Sequence, residues 1–222
     1  MVRALIPPRR RCLASRVVPP APAVALTLLL AACGGGAPVR DVFFSLDAQP
    51  AVTPAARTIP GTLRVSPFAA RGFVGGSRIV YRTAEQPLQV QRYNEFLWEQ
   101  VPAQAIADDL LAALRAARVF ENVATAGDPA RADYLLTGEL TRFEHHPTDR
   151  PPGVVAELSL ALVDARSREL LVSKTYSGFE PTVTGAGGRT TPEAMIAAFN
   201  RLTGRLIGEV IADAGRLGAS RR

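Results

Sequence analysis

The sequence predicts one α/β domain: a mixed, largely antiparallel sheet with two main helices packed on it. Three observations lead there. Apolar residues recur at helical spacing in two stretches, Ile106, Leu110 and Leu114 in one, Met195, Phe199, Leu202, Leu206 and Val210 in the other. Between them lie three β-rich runs, the middle one with period-two alternation. The order is then strands, helix, strands, helix, which suits helices laid on a sheet.

The first 32 residues stand outside that domain. They carry five arginines (Arg3, Arg9, Arg10, Arg11, Arg16) and no acid, and an apolar stretch, APAVALTLLL, occupies 21–30. A basic head, a short apolar stretch and small residues behind it make a secretory signal. Pro19, Pro20 and Pro22 would break a buried helix near its start. Leu30-Ala31-Ala32-Cys33 follows and resembles the lipobox of bacterial lipoproteins at all four positions. It predicts cleavage between Ala32 and Cys33 and acylation of Cys33. The chemistry needs a thiol, to form a thioether with a diacylglyceryl group. Small residues before the scissile bond let the backbone lie close in the peptidase cleft. The other cysteine, Cys12, falls in the removed segment, so a mature disulfide is excluded. Residues 33–40, with Gly34-Gly35-Gly36, read as the acylated cysteine and a flexible tether. Residues 41–215 form the predicted domain and 216–222 a polar tail.

Within the domain, 42–46 predicts a short strand, and a proline-rich loop follows to residue 60. Leu63-Arg64-Val65 alternates as a second strand ending at Pro67. Gly72, Gly75 and Gly76 mark a loop, and 78–82 and 88–91 predict two short paired strands. Pro102 suits the first position of a helix running to about Ala117, with Leu111 beside its stripe and Asp108, Asp109 and Arg115 off it. The β-rich runs are 134–143, 154–164 and 170–179, the last two joined by a turn at 165–168. Leu158, Leu160 and Leu162 alternate with Glu157, Ser159 and Ala161, so one face is buried and one faces water. The second helix takes Thr190 or Thr191 as N-cap, Pro192 at its start and Glu193 in its first turn. The 190 residues from Cys33 suffice for one core.

Charge narrows the function. The net +6 belongs to the first segment, since the remainder holds 21 basic and 20 acidic residues. That balance, without a basic-aromatic stripe, argues against a nucleic-acid partner. Mean hydropathy is +0.10, and no apolar run reaches the roughly 20 residues of a membrane-spanning helix. Glu144-His145-His146 suggests metal, but adjacent strand residues point to opposite faces and no further His or mature Cys completes a site. The trio reads as a solvated strand end before Pro147. Gly185-Ala186-Gly187-Gly188 precedes a helix, yet lacks the spacing of phosphate-binding motifs, and the chain's single lysine, Lys174, lies in a strand. It reads as a flexible loop, with Arg189 placed where a lipid phosphate would sit at a helix start. No Ser stands in a nucleophile elbow, and Asp108-Asp109 reads as a solvated face. These residues predict no catalytic site, no cofactor and no metal. Trp98, before the first helix, predicts a core residue.

The order of motifs resembles the PqiC-type ABC-transport auxiliary lipoproteins, accessory proteins of MCE lipid transport systems. The likeness runs through the lipobox, Phe43-Phe44-Ser45-Leu46, Leu63-Arg64-Val65-Ser66-Pro67, Arg78-Ile79-Val80-Tyr81-Arg82, and then Trp98, Pro102, Leu110, Leu114 and Val119-Phe120. Residues 69–77 depart from the family's pattern. The resemblance implies a three-layer fold similar to the N-terminal domain of the Tol-Pal translocation protein. It implies an MCE-domain partner, through it an ABC permease and ATPase, and a membrane held by the lipid anchor; self-association stays open. Gly34 stands where enteric bacteria use Asp to retain lipoproteins in the inner membrane, which implies the outer membrane, periplasmic face. Two other classes stay open at this point: an envelope-assembly or stress lipoprotein that binds a protein, and an envelope hydrolase.

Overall fold

Alternation and strand length decide the sheet of this computed structural model, which describes residues 40–185 and 187–220. Nine strands form it: β1 (Val42–Phe44), β2 (Ile59–Val65), β3 (Ala69–Ala70), β4 (Arg78–Thr83), β5 (Gln86–Trp98), β6 (Phe120–Thr125), β7 (Tyr134–His146), β8 (Gly153–Asp164) and β9 (Leu170–Pro181). Helix α1 spans Pro102–Ala117 and α2 spans Pro192–Ser220, the latter running on through residues 216–220. The long ladders, β7 with β8, β8 with β9 and β4 with β5, are antiparallel. The short ones are parallel: β1 with β5, β2 with β6, and β2, β3 and β4 each with β7. β7 is the spine. One edge takes β2, β3 and β4 end to end, and the other takes β8.

Both helices lie on one face of the sheet. Leu114 of α1 and Val210 of α2 line one small apolar gap, of about 40 Å³, with Leu136 of β7 and Leu160 of β8. Val154, Ala156, Leu158, Leu160 and Leu162 are buried on that face, while Glu157, Ser159 and Ala161 point to the other and stay half-exposed. The described residues thus make one α/β domain, a mixed sheet with two helices packed on it, as the sequence predicts. The other face is polar. Arg71 pairs with Glu139 on it, and Ser159 and Thr175 share a hydrogen bond of 2.8 Å.

The two helical stripes are the core. Ile106, Leu110, Leu111 and Leu114 are buried in α1, and Met195, Phe199, Leu202, Leu206 and Val210 in α2. Thr191 is the N-cap of α2: its Oγ1 accepts the Ala194 N–H at 3.2 Å. Trp98, Phe143 and Phe199 interlock where β5, β7 and α2 meet, with ring centroids 4.4–5.6 Å apart. Two stretches are strands that the sequence reading cut short or passed over. β5 continues through Tyr93-Asn94-Glu95-Phe96 to Trp98, and β6 follows α1. The hairpin turn is held by Asp164, whose Oδ1 accepts the Arg166 and Ser167 N–H groups at 2.9 and 2.8 Å.

Between β1 and β2 the chain crosses α2 as a strap. Gly204 makes room for it, since a Cβ there would stand 3.3 Å from the Gln49 carbonyl oxygen. Asp109 ties the strap to α1 by accepting the Ala48 N–H at 3.1 Å. Asp108 is exposed, as the sequence suggests, but Asp109 is half-buried, and burial pushes its carboxyl above the usual range. The expectation of a solvated pair therefore holds for one of the two only.

Candidate functional site

The C-terminal end of β7 gathers most of the polar chemistry. Glu144, His145 and His146 are 3%, 3% and 9% exposed. The expected solvated strand end is thus corrected. β7 pairs with β4 as far as His145 and with β8 through His146, so its end is walled in rather than frayed. Alternation sends Glu144 and His146 to the polar face and His145 to the helix face.

On the polar face Glu144 is the centre of an ion cluster. Arg82 of β4 donates twice to its carboxylate, Nε to Oε2 and Nη2 to Oε1, both at 3.0 Å. Arg142 Nη2 and His146 Nε2 each lie 3.4 Å from Oε2, and His146 Nδ1 is 3.1 Å from Asp149. Burial alone would raise the Glu144 pKa; hydrogen bonds from His146 and Arg82 and the charges of Arg142 and Arg82 outweigh it and bring it down to about 2. This cluster is closed on itself. Among the described residues, no group of three or more His, Cys, Asp or Glu is arranged to hold a metal.

On the helix face His145 borders a cavity of about 530 Å³ under the first turn of α2. Tyr93 of β5 and Arg189, Thr190 and Met195 line it too, with Glu95 and Phe96. Tyr93 Oη and His145 Nδ1 are 2.7 Å apart, and the Tyr93 ring also packs on Tyr81 and Phe96. Burial raises the Tyr93 pKa and, with the neighbouring His146, lowers that of His145 to about 4, so the pair is a neutral phenol on a neutral imidazole. The hydroxyl proton of Tyr93 finds its acceptor in Nδ1, which leaves the ring hydrogen on Nε2. That Nε2 is buried without a partner among the described residues. The glycine loop closes over this end of α2: Thr184 bridges Thr190, the Gly185 N–H donates to the Arg189 carbonyl at 3.0 Å, and Gly187 and Gly188 take φ of 97° and 74°, which suits glycine.

A larger concavity, of about 950 Å³, lies between the strap and α2. Its three arginines are engaged: Arg201 with Glu180, Arg205 with Glu180 and the Phe179 carbonyl, and Arg216 with Asp213. Glu209 lines it as well, so it offers shape and a carboxylate but no unpaired guanidinium.

The sequence's own site residues, Ala32 and Cys33, lie outside the described residues. Trp98 is 2% exposed, the core residue expected. Tyr93 and Arg82 were not singled out from the sequence, because their partners His145 and Glu144 stand 52 and 62 residues away on another strand. No helix among the described residues is long and apolar enough to cross a membrane.

Comparison with known proteins agrees with this architecture. No curated protein matches the chain. A solved structure from Xanthomonas campestris is 22% identical, covers 80% of this chain and is covered over 98% of its own length, with a TM-score of 0.68. A second, described as an uncharacterized protein, is 16% identical, with coverages of 78% and 98% and a TM-score of 0.59. At such identities the likeness is one of fold. A family model for the ABC-type transport auxiliary lipoprotein component matches residues 44–211, from the end of β1 through the buried stripe of α2. By that match over most of its length, the chain belongs to the ABC-type transport auxiliary lipoprotein family.

Proposed function

We propose that the protein is a non-catalytic, outer-membrane subunit of an MCE-type ABC lipid transport system. It is anchored through Cys33, with its domain on the periplasmic face. The family match over 44–211 carries the reading. The complete lipobox at 30–33 supports the anchor, and Gly34 in place of Asp supports the outer membrane. Two or more acyl chains suffice for stable membrane attachment. The nine residues from Cys33 to Val42 can span at most about 30 Å, so the domain stays close to the bilayer. A domain so tethered raises the local concentration of its binding surface, and a weak interface with a periplasmic MCE protein then suffices. The absence of a catalytic constellation from the sequence fits a positioning role.

Two results are expected. Labelling cells with a palmitate analogue should mark the wild type and leave Cys33→Ala unmarked; equal labelling would end the lipoprotein reading. Mild crosslinking in the native bacterium should recover an MCE-domain protein with the wild type, and less of it with Cys33→Ala. Recovery of Tol-Pal or β-barrel assembly components alone would replace transport by envelope assembly.

A further inference from the structure

We propose that the cavity under the first turn of α2 binds a singly charged phosphodiester-type oxyanion, the chemistry shared by a phospholipid headgroup and free phosphate. Four features converge on it. The first is the amino end of a 29-residue helix, where the backbone dipoles favour negative charge. The second is independent of the helix. His145 is 3% exposed and lines the cavity, and its Nε2 has no partner among the described residues. Buried polar atoms are nearly always satisfied, so an orphaned imidazole donor bordering a cavity calls for an acceptor. The third is Arg189, exposed at the cavity's rim, whose guanidinium has no hydrogen bond or ion pair among the described residues. Every arginine around the larger concavity is already paired, whereas the Arg189 guanidinium is not. The fourth is apolar: Phe96, Pro147, Pro192 and Met195 give the same cavity a wall suited to the carbon part of a headgroup.

Charge sets the limit on the ligand. Glu95 lines the cavity and Glu193 sits in the first turn of α2, opposing Arg189. One guanidinium and a helix end do not outweigh two carboxylates, so an anion here is held by hydrogen bonds rather than by net charge, which limits it to a single charge and disfavours a polyphosphate. The volume, about 530 Å³, is within the usual range of small-molecule sites, which run from about 300 to 1,000 Å³. The inference stands apart from the transport reading, because the cavity and its donors are the same whichever protein the domain meets.

The test uses the full chain in detergent, titrated separately with glycerophosphoethanolamine and inorganic phosphate. Calorimetry reads affinity, and the His145 imidazole ¹⁵N and ¹H signals read the site. Saturable binding of the diester, with a downfield shift of the His145 Nε2 proton, is expected. Arg189→Ala, at an exposed position, should weaken it about tenfold or more, as for loss of a charge-assisted hydrogen bond. Arg57→Ala, on the strap, should leave it unchanged. Equal or tighter binding of inorganic phosphate would keep the site and assign it to the free ion. Absence of saturable binding by either probe, or binding that Arg189→Ala leaves intact and that does not move the His145 signals, would overturn the proposal.

Discussion

Phe199→Ala should destabilise the domain by about 3–5 kcal/mol. Phe199 is fully buried on α2 and lies 4.4 Å, centroid to centroid, from Phe143 of β7 and 5.3 Å from Trp98 of β5. The void left by its ring would be bounded by two strands that are hydrogen-bonded on both sides, so the walls cannot collapse into it. That rigidity places the cost toward the high end. Trp98 is the only tryptophan, so its fluorescence reports on the same spot during urea unfolding. Phe199→Leu, which keeps most of the volume, should cost less than half as much. A loss under about 1 kcal/mol for Phe199→Ala would mean that α2 is seated by its other residues and the aromatic cluster is incidental.

Arg82→Ala should cost about 3 kcal/mol at pH 7, by leaving the buried Glu144 carboxylate short of its bidentate partner. The effect depends on pH, and its sign follows from linkage. Glu144 in the folded chain titrates at about 2, below the ordinary glutamate value of 4.5, so its stabilising contribution is present above pH 4.5 and is lost as pH falls through 2. A shift of that size corresponds to roughly 3 kcal/mol. Without Arg82 the folded pKa rises, and the difference between wild type and variant should narrow as pH is lowered from 7 to 3. His145 adds an acid sensitivity common to both proteins. Its folded pKa of about 4 lies below the usual 6.5, so stability drops as pH falls between those values. Urea unfolding of the two proteins at pH 7 and pH 3 checks this. An equal difference at both would show that the Arg82 side chain acts through packing and not through charge.

Most of the fold was readable where the pattern is repetitive and local. The stripes of α1 and α2, a threonine cap at 190 or 191 and the alternation of β8 needed only near neighbours in sequence. Asn94 and Glu95 interrupt the apolar residues of β5, which shortens it in a sequence reading, and Glu121 and Asn122 break up β6 after Val119-Phe120, so no strand is assigned there. Partners distant in sequence explain the rest. Nothing near His145 announces that Tyr93 will reach its Nδ1, nor near Glu144 that Arg82 will clamp it, and so both looked like surface. The Asp109 bond to the strap was hidden for the same reason, since its partner Ala48 precedes α1 by 61 residues. Arg189 was the exception, placed at a helix start and noted for phosphate from the sequence alone. What the sequence could not supply was the unpartnered Nε2 of His145, which lines the same cavity.

The order in which β7 receives its neighbours bears on how the chain reaches this state. β2, β3 and β4 all precede β7 in the chain, yet only β7 joins them into one sheet, through pairings such as Leu63 with Tyr134 and Val80 with Glu144. A chain emerging amino-end first can pair β4 with β5 at once and β2 with β6 near residue 125, but β3 and the second edges of β2 and β4 wait until β7 arrives. Closing such long loops is entropically costly, and topologies rich in distant pairings fold slowly. The β7–β8–β9 meander, by contrast, needs only short turns and can form from the carboxyl half by itself, then capture the waiting strands. Until that moment the apolar residues of β2 and β4 stand exposed, a window in which aggregation competes with folding and a holding chaperone would have its effect.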